Sequence, residues 1–195
     1  KIALDKKGLK YVRMEGEAKF YGPAIDIKVK DAIGRGWQGP TIQVDFNLPE
    51  RFDVKYVGSD GFHHRVVMVH RTVLGAMERF VGCLIEHYAG DFPLWIAPVQ
   101  IRILPITDAH IDYANKLQTL LLTRNFRAEC DTSSAKINYK VREGTMGKIP
   151  YLLIVGDKEV EGGTVAVRSR KKGNEGTISA EEFIRKMESE IKAKR

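Results

Sequence analysis

The stretch at residues 67–80 constrains the fold of this chain more than any other. An apolar run at residues 66–69 ends at His70, and a helical pattern follows, with Gly75 near its start and Arg79 one turn later. A buried strand that enters a helix through a glycine leaves backbone uncovered, so a flat ligand can approach it closely. Arg79 can stack on a base and clamp a phosphate. The stretch therefore predicts a nucleotide site, the alternative being a Glu–Arg pair on an ordinary helix surface.

Length and composition indicate an ordinary globular chain. It has 195 residues, 43% hydrophobic and 29% charged, which suits one large or two modest domains. Its apolar runs are all much shorter than the roughly 20 residues of a membrane span, so we expect no membrane association. Cys83 and Cys130 are isolated thiols, which favours a reducing, cytoplasmic location.

The charge balance points to a polyanionic partner. The formal net charge is +7 and the isoelectric point is near 9.4. Such an excess favours nucleic acid, although a basic surface without a partner remains the alternative. Lys136, Lys140 and Arg142 fall about one helical turn apart, and Arg168 follows a predicted strand. These side chains are candidates for phosphate contacts, or for a solvated charged face.

The first half of the chain predicts a small antiparallel sheet. Residues 24–30 alternate apolar and polar side chains, and residues 37–46 form a second strand. Thr41 and Gln43 lie on the polar face of that strand, with Gln38 and Tyr21 nearby. A rigid sheet with a few convergent hydrogen-bonding groups suits a binding floor, unless these groups merely face solvent. Residues 66–69 then predict a buried strand and residues 72–88 an amphipathic helix.

The second half predicts a separate α/β domain. A segment rich in Gly and Pro at residues 89–98 marks the boundary, which gives domains at 1–97 and 98–195. Beyond it, predicted strands alternate with helices, including a helix at residues 111–123 and a last helix that begins at a capping box on Ser179. This order favours three layers around a mixed sheet.

His70 by itself does not establish a metal site. A lone histidine is more often a satisfied core residue, and a zinc site needs three or four ligands. Cysteines and carboxylates do not cluster near it in the sequence.

Six sequence blocks, ordered along almost the whole chain, resemble the threonyl-tRNA synthetase family of class II aminoacyl-tRNA synthetases. They are YGP at 21–23, WQ with TIQVDFNLPERFD at 37–53, VMVHR with LGAMERF at 67–80, EHYAGDFPLWIAPVQ at 86–100, IPYLLIVGDKEVE at 149–161 and VAVRSR at 165–170. The resemblance implies an α/β fold in which part of a class II antiparallel sheet with helices precedes an α/β three-layer anticodon-binding domain.

The resemblance also implies roles for residues of the first domain, in which residues 67–80 would be the third class motif. Arg79 would be catalytic and would hold ATP, with Mg²⁺, through adenine stacking and the γ-phosphate. His70 would be one of three protein ligands to a zinc ion that binds threonine. The remaining implied positions concern ATP, substrate and catalysis: Gly75, Gln38 and Thr41 for ATP, Tyr21 and Gln43 for substrate, and Gln43 also for catalysis.

In the second domain the resemblance implies contacts with the anticodon of tRNA(Thr). Glu159 and Arg168 match base-reading positions, Arg142 matches a backbone-contacting position, and Lys136 belongs to the same surface. The family also implies a homodimeric parent protein in the cytoplasm, whose substrates are threonine, ATP and tRNA(Thr).

The resemblance lacks the first two class motifs and the other zinc ligands, which we expect before Lys1. We therefore expect the chain to be a fragment of a threonine–tRNA ligase that has no aminoacylation activity alone. The alternative is a non-catalytic module that binds tRNA or a partner protein. Ala24 stands where the family usually has a lysine, and Ser134 where an asparagine is common.

Overall fold

The computed structural model describes residues 1–17 and 19–194. It divides the chain into two compact units, Lys1–His87 and Tyr88–Arg195. The prediction placed the division at 97/98. In the structure the intervening segment belongs to the second unit, because Leu94 is buried in that unit's core. The boundary of the functional domains stays a prediction.

The elements of the first unit, in chain order, are α1 (Ile2–Lys6), β1 (Ala24–Lys30), β2 (Gly36–Asp45), α2 (Asn47–Arg51), β3 (Lys55–Val57), β4 (His63–Arg65), β5 (Met68–Arg71) and α3 (Met77–Tyr88). The unit is built on a three-stranded antiparallel sheet with the order β1-β2-β5, beside a separate β3–β4 hairpin.

The register of this sheet brings distant sequence segments together. Gln43 on β2 lies opposite His70 on β5, and Thr41 lies opposite Asp26 on β1. Diagonal neighbours on one face of a sheet are also within reach of long side chains. Asp45 is therefore close enough to His70 for a direct contact.

Three sequence predictions for this unit are wrong. The strand predicted as buried starts at Met68 and contains His70, and Val67 and Val69 are each 58% exposed. The helix begins at Met77 rather than at residue 72, because the chain first makes a bend. The sequence also predicts a loop at residues 48–52, whereas the structure has helix α2 at Asn47–Arg51.

Burial in the first unit is also the reverse of the expected pattern. Among its described residues no Val, Leu, Ile, Met, Phe, Tyr or Trp side chain is buried, and Pro49 is the one apolar side chain that is. Ile27, on the predicted core face of β1, is 48% exposed. The buried side chains of β2 are Thr41 and Asp45. The covered face of this sheet is therefore the polar one, and hydrogen bonds organise it.

The elements of the second unit, in chain order, are β6 (Ile101–Pro105), a 3₁₀ turn (Asp108–His110), α4 (Ile111–Thr123), β7 (Ala128–Cys130), α5 (Ile137–Met146), β8 (Tyr151–Val155), α6 (Asp157–Gly162), β9 (Thr164–Ser169), β10 (Gly173–Ser179) and α7 (Ala180–Lys192). Its strands form one mixed five-stranded sheet with the order β10-β9-β8-β6-β7. Strand β6 runs parallel to its neighbours β7 and β8, whereas β9 is antiparallel to β8 and β10.

Helices cover both faces of this sheet. Leu117 of α4 and Phe183 of α7 belong to the main buried cluster, while Val141 of α5 packs against a second cluster that contains Leu104 and Leu152. The predicted α/β class with a mixed sheet is confirmed.

Two predicted helices of the second unit agree well with the structure, and two short elements were not predicted. Helix α4 has the predicted bounds, and the Ser179 hydroxyl caps α7 by accepting a hydrogen bond from the Glu182 N–H at 3.2 Å. Helix α6 and strand β10 were missed because both are rich in Gly and polar residues, without a regular apolar period.

Candidate functional site

A cleft of about 420 Å³ lies in the first unit over the β2–β5 strands. Its volume falls within the range of small-molecule sites. Tyr21, a predicted substrate residue, is not among the lining residues. The cleft is lined by Gln38, Gly39, Thr41, Gln43, His70, Arg71, Thr72, Gly75, Ala76 and Arg79, which include six of the seven residues predicted for this unit.

Gly75 makes the bend that leads into α3. Its φ is +75°, a conformation that L side chains rarely adopt, and a Cβ there would lie 2.8 Å from the Gly39 carbonyl oxygen. A glycine is therefore required at position 75 for two reasons: a Cβ would clash with the β2 backbone, and the φ is positive. It places the start of α3 directly against the sheet.

Arg79, in the first turn of α3, reaches back over β2. Its Nη1 donates to the Gln38 carbonyl oxygen at 2.8 Å, and its guanidinium carbon lies 5.5 Å from the centroid of the Trp37 ring. This distance is within the range of cation–π attraction. The remainder of the side chain is exposed along the cleft.

Gln38 and Thr41 share a carboxylate. The Thr41 hydroxyl donates to Asp26 Oδ1 at 2.7 Å, and the Gln38 amide donates to the same oxygen at 3.1 Å. The Thr41 N–H also donates to the Thr72 hydroxyl at 2.9 Å. Thr41 is buried, so its side chain holds the floor of the cleft together, whereas Gln38 is exposed.

His70 is oriented by a buried carboxylate. Its Nε2 lies 2.9 Å from Oδ2 of Asp45, whose side chain is only 4% exposed. Oδ1 of Asp45 accepts from the Asn47 and Leu48 N–H groups at 2.8 and 3.1 Å. Burial alone would raise the pKa of Asp45, but these hydrogen bonds hold it below its usual value. An ionised carboxylate can only accept, so Asp45 accepts the Nε2–H of His70.

Tyr21 lies away from these groups, at the start of the sheet. Its carbonyl oxygen accepts from the Phe46 N–H at 3.0 Å, and its ring stacks edge to face on Phe20 with centroids 5.0 Å apart. The structure shows a role for Tyr21 in joining the chain to β2. A role in substrate binding stays a prediction.

The predicted RNA-contacting cations of the second unit are placed by α5 and β9. Lys136 directly precedes α5 and Arg142 lies on it, and both are exposed. Arg168 is half-buried on β9, between Leu152 of β8 and Asn174 of β10.

Lys140 does not belong to this exposed set, contrary to what spacing suggested. It is only 3% exposed, and its ammonium donates to the Pro105 and Asp131 carbonyl oxygens at 3.1 and 2.9 Å. Gly144, one turn later, lies so close to the sheet that a Cβ would come within 2.5 Å of Leu152 Cδ2. These contacts fix α5 on the sheet and leave Lys136 and Arg142 on the outside.

Glu159 is already engaged within its own helix. Its Oε2 accepts a hydrogen bond from the Gly156 N–H at 3.0 Å at the start of α6. The carboxylate is thus fixed in direction, and reading of an RNA base by Glu159 stays a prediction.

Comparisons with known proteins cover both units. The tRNA synthetase class II core domain (G, H, P, S and T) matches residues 2–88, and an anticodon binding domain matches residues 100–190. A threonine–tRNA ligase of Clostridium botulinum strain Okra is 58% identical over 194 residues, which are 100% of this chain and 31% of that protein. The chain belongs to the threonyl-tRNA synthetase family. A Clostridium kluyveri threonine–tRNA ligase is 53% identical, over 100% of this chain and 30% of that one.

A solved threonyl-tRNA synthetase has the same fold. The RNA binding domain of threonyl-tRNA synthetase from Cryptosporidium parvum Iowa II matches with a TM-score of 0.88 and 36% identity, over 97% of this chain and 48% of that chain. The chain thus spans less than a third of the length of its curated relatives and about half of this structure. The predicted family and fold are confirmed.

The zinc expected in threonyl-tRNA synthetases cannot be held by the described residues alone. No group of three or more His, Cys, Asp or Glu side chains with metal-binding geometry occurs at residues 1–17 and 19–194. His70 does fit a single ligand, because histidines that bind metals commonly donate their other N–H to a carboxylate. Asp45 provides that carboxylate.

Sequence reasoning did not assign Asp45 or Trp37 to the site. Alternation along β2 placed Asp45 on the polar face with Thr41 and Gln43, but its pairing with His70 depends on register, which a single strand does not reveal. Trp37 carries no signal beyond its position beside Gln38.

Within the described chain, no helix is long and apolar enough to cross a membrane.

Proposed function

We propose that the chain works as part of a threonine–tRNA ligase, which charges tRNA(Thr) with threonine at the expense of ATP. The main support is that Gln43, His70, Gly75 and Arg79 line a single cleft, although they come from β2, β5, α3 and the bend before α3. A module that only bound RNA would have no need of this arrangement. The cleft thus favours the ligase over a non-catalytic module.

Arg79 would act on ATP, and Gln43 would act on threonine. The Arg79 guanidinium would stack on adenine and neutralise charge on the γ-phosphate of ATP with its Mg²⁺, with Gly75 and Gln38 beside it. Gln43 lies opposite His70 in the sheet, so its amide would meet the carboxyl end of threonine. Catalysis of this kind depends on positioning and charge neutralisation.

His70 would supply one ligand of a zinc ion, and the others would come from outside this chain. When bound, zinc would act as a Lewis acid that holds the amino and hydroxyl groups of threonine and so distinguishes it from valine. In this chain Nε2 of His70 contacts Asp45, so Nδ1 would be the nitrogen that binds the metal.

The second unit would bind the anticodon of tRNA(Thr). Lys136 and Arg142 would contact phosphates from α5, while Arg168 and Glu159 would read bases. The sequence match to an anticodon binding domain over residues 100–190 supports this assignment. The homodimeric state and the cytoplasmic location stay predictions.

The proposal is tested with a chimera. The segment of the C. botulinum strain Okra ligase that aligns with this chain is replaced by the chain, and threonine-dependent exchange between ATP and pyrophosphate is measured. We expect exchange, and we expect Arg79→Ala to abolish most of it. The isolated chain should show none. Exchange by the isolated chain, or a folded chimera without exchange, would contradict the proposal.

A further inference from the structure

Asp31 is an unusually well-satisfied carboxylate at the turn between β1 and β2. Its side chain is only 1% exposed. Oδ1 accepts from the Ile33 and Arg35 N–H groups at 3.1 and 2.8 Å, and Oδ2 accepts from Arg35 Nε at 2.6 Å and Trp37 Nε1 at 2.9 Å. The hydrogen bond from Trp37, with help from Arg35 and against the effect of burial, lowers the pKa of Asp31 to about 2.

These bonds fix the plane of the Trp37 indole. Trp37 is 37% exposed, so packing in a core does not account for its position. With Nε1 tied to Asp31, the ring cannot rotate about its long axis without breaking a hydrogen bond to a charged acceptor, which is among the stronger kinds.

The fixed indole in turn supports Arg79. The guanidinium lies 5.5 Å from the ring centroid, and its Nη1 donates to the carbonyl oxygen of Gln38, the next residue along β2. The guanidinium carbon thus lies over the indole ring, and the side chain borders the cleft. Arg79 therefore has two anchors on one strand, and a free arginine would otherwise sample many rotamers.

We propose that Trp37 is a positioning residue for Arg79, held in turn by Asp31, so that ATP meets a guanidinium that is already oriented for stacking. This inference rests on the proposed role of Arg79 in ATP binding. It assigns Asp31 and Trp37 to the reaction although neither lines the cleft.

The test measures KM for ATP and for threonine in pyrophosphate exchange, using the intact ligase that contains this chain. Trp37→Leu should raise KM for ATP by about 3- to 10-fold, the order expected for one cation–π contact, and leave KM for threonine unchanged. Trp37→Phe keeps an aromatic face and should retain much of the ATP affinity. Trp95→Leu, in the second unit, is the matched control and should change neither constant.

A double-mutant cycle separates positioning from a general structural effect. Because Arg79→Ala removes most of the exchange, the cycle compares dissociation constants for ATP, and in the Arg79→Ala background Trp37→Leu should weaken ATP binding no further. An undiminished effect in that background, or an unchanged KM for ATP in the single variant, would overturn the inference. A wild-type ligase that lacks threonine-dependent exchange would instead refute the proposed function.

Discussion

Nε2 of His70 lies 2.9 Å from the buried Oδ2 of Asp45, across the antiparallel pair formed by β2 and β5. The same pairing places Gln43 directly opposite His70. His70, which lines the cleft, is thus held in direction by a carboxylate that two backbone N–H groups fix in place. This relationship gives the cleft a rigid end.

Asp45→Ala should weaken threonine activation by about 10- to 100-fold, the usual effect of removing a carboxylate that orients a metal-binding histidine. The measurement is threonine-dependent pyrophosphate exchange in the chimera, with KM for threonine as the main readout. Asp60→Ala is the control, because Asp60 makes the same contact with His64 at 2.8 Å outside the cleft. Equal losses in both variants would contradict a special role for Asp45.

Gly75→Ala should destabilise the chain by about 1–3 kcal/mol, because alanine must adopt a φ of +75° and its Cβ would meet the Gly39 carbonyl. The readout is the free energy of unfolding in denaturant. Gly82→Ala is the control, since Gly82 lies in α3 with open space at its Cβ position and should be neutral or stabilising by up to about 1 kcal/mol. A neutral Gly75→Ala would refute the proposed bend.

The pH dependence of stability should carry the signature of Asp31. Its pKa is about 2 in the folded chain against an ordinary 3.8, so ionised Asp31 stabilises the fold above pH 3.8. This contribution is lost as pH falls through 3.8 towards about 2. Denaturant unfolding between pH 5 and pH 2 should show a steeper loss for the wild type than for Asp31→Asn. Parallel curves would show that the carboxylate contributes nothing.

Binding of RNA by the 195-residue chain should depend on the exposed face of α5, which carries Lys136 at its N-cap and Arg142. Arg142→Ala should weaken the binding of anticodon stem-loops by the same factor whatever their anticodon sequence, because it removes a phosphate contact. For the same reason it should reduce the dependence of binding on salt concentration. Arg168→Ala should instead reduce discrimination between anticodons. Arg185→Ala is the control, since Arg185 is exposed on α7, across the sheet from α5. If Arg185→Ala and Arg142→Ala have the same effect, the assigned RNA face is wrong.

The second unit was largely predictable from the sequence because its elements follow regular apolar periods. Ala114, Leu117 and Leu121 recur at helical spacing in α4, and all three are buried. Ser179 correctly predicted the start of α7, because an N-cap hydrogen bond joins only residues that are close in sequence.

The first unit was less predictable because its organisation depends on contacts between distant polar groups. Val67 and Val69 suggested a buried strand, yet both are exposed, since an apolar side chain is buried only where another surface covers it. The start of α3 was predicted too early, because the local pattern does not reveal that Gly75 packs against Gly39. Likewise, the site residues were predicted individually, but their hydrogen-bond partners Asp26, Asp45 and Thr72 depend on register.

Charging of tRNA(Thr) by the chimera tests the central claim most directly, because it requires the cleft of the first unit and the RNA face of the second. The amount of threonyl-tRNA formed with ATP is measured for the chimera, its Arg79→Ala variant and the parent C. botulinum ligase. We expect the chimera to charge tRNA(Thr) and the variant to fail. A folded chimera that binds tRNA(Thr) but forms no threonyl-tRNA would contradict the account and favour a non-catalytic RNA-binding module.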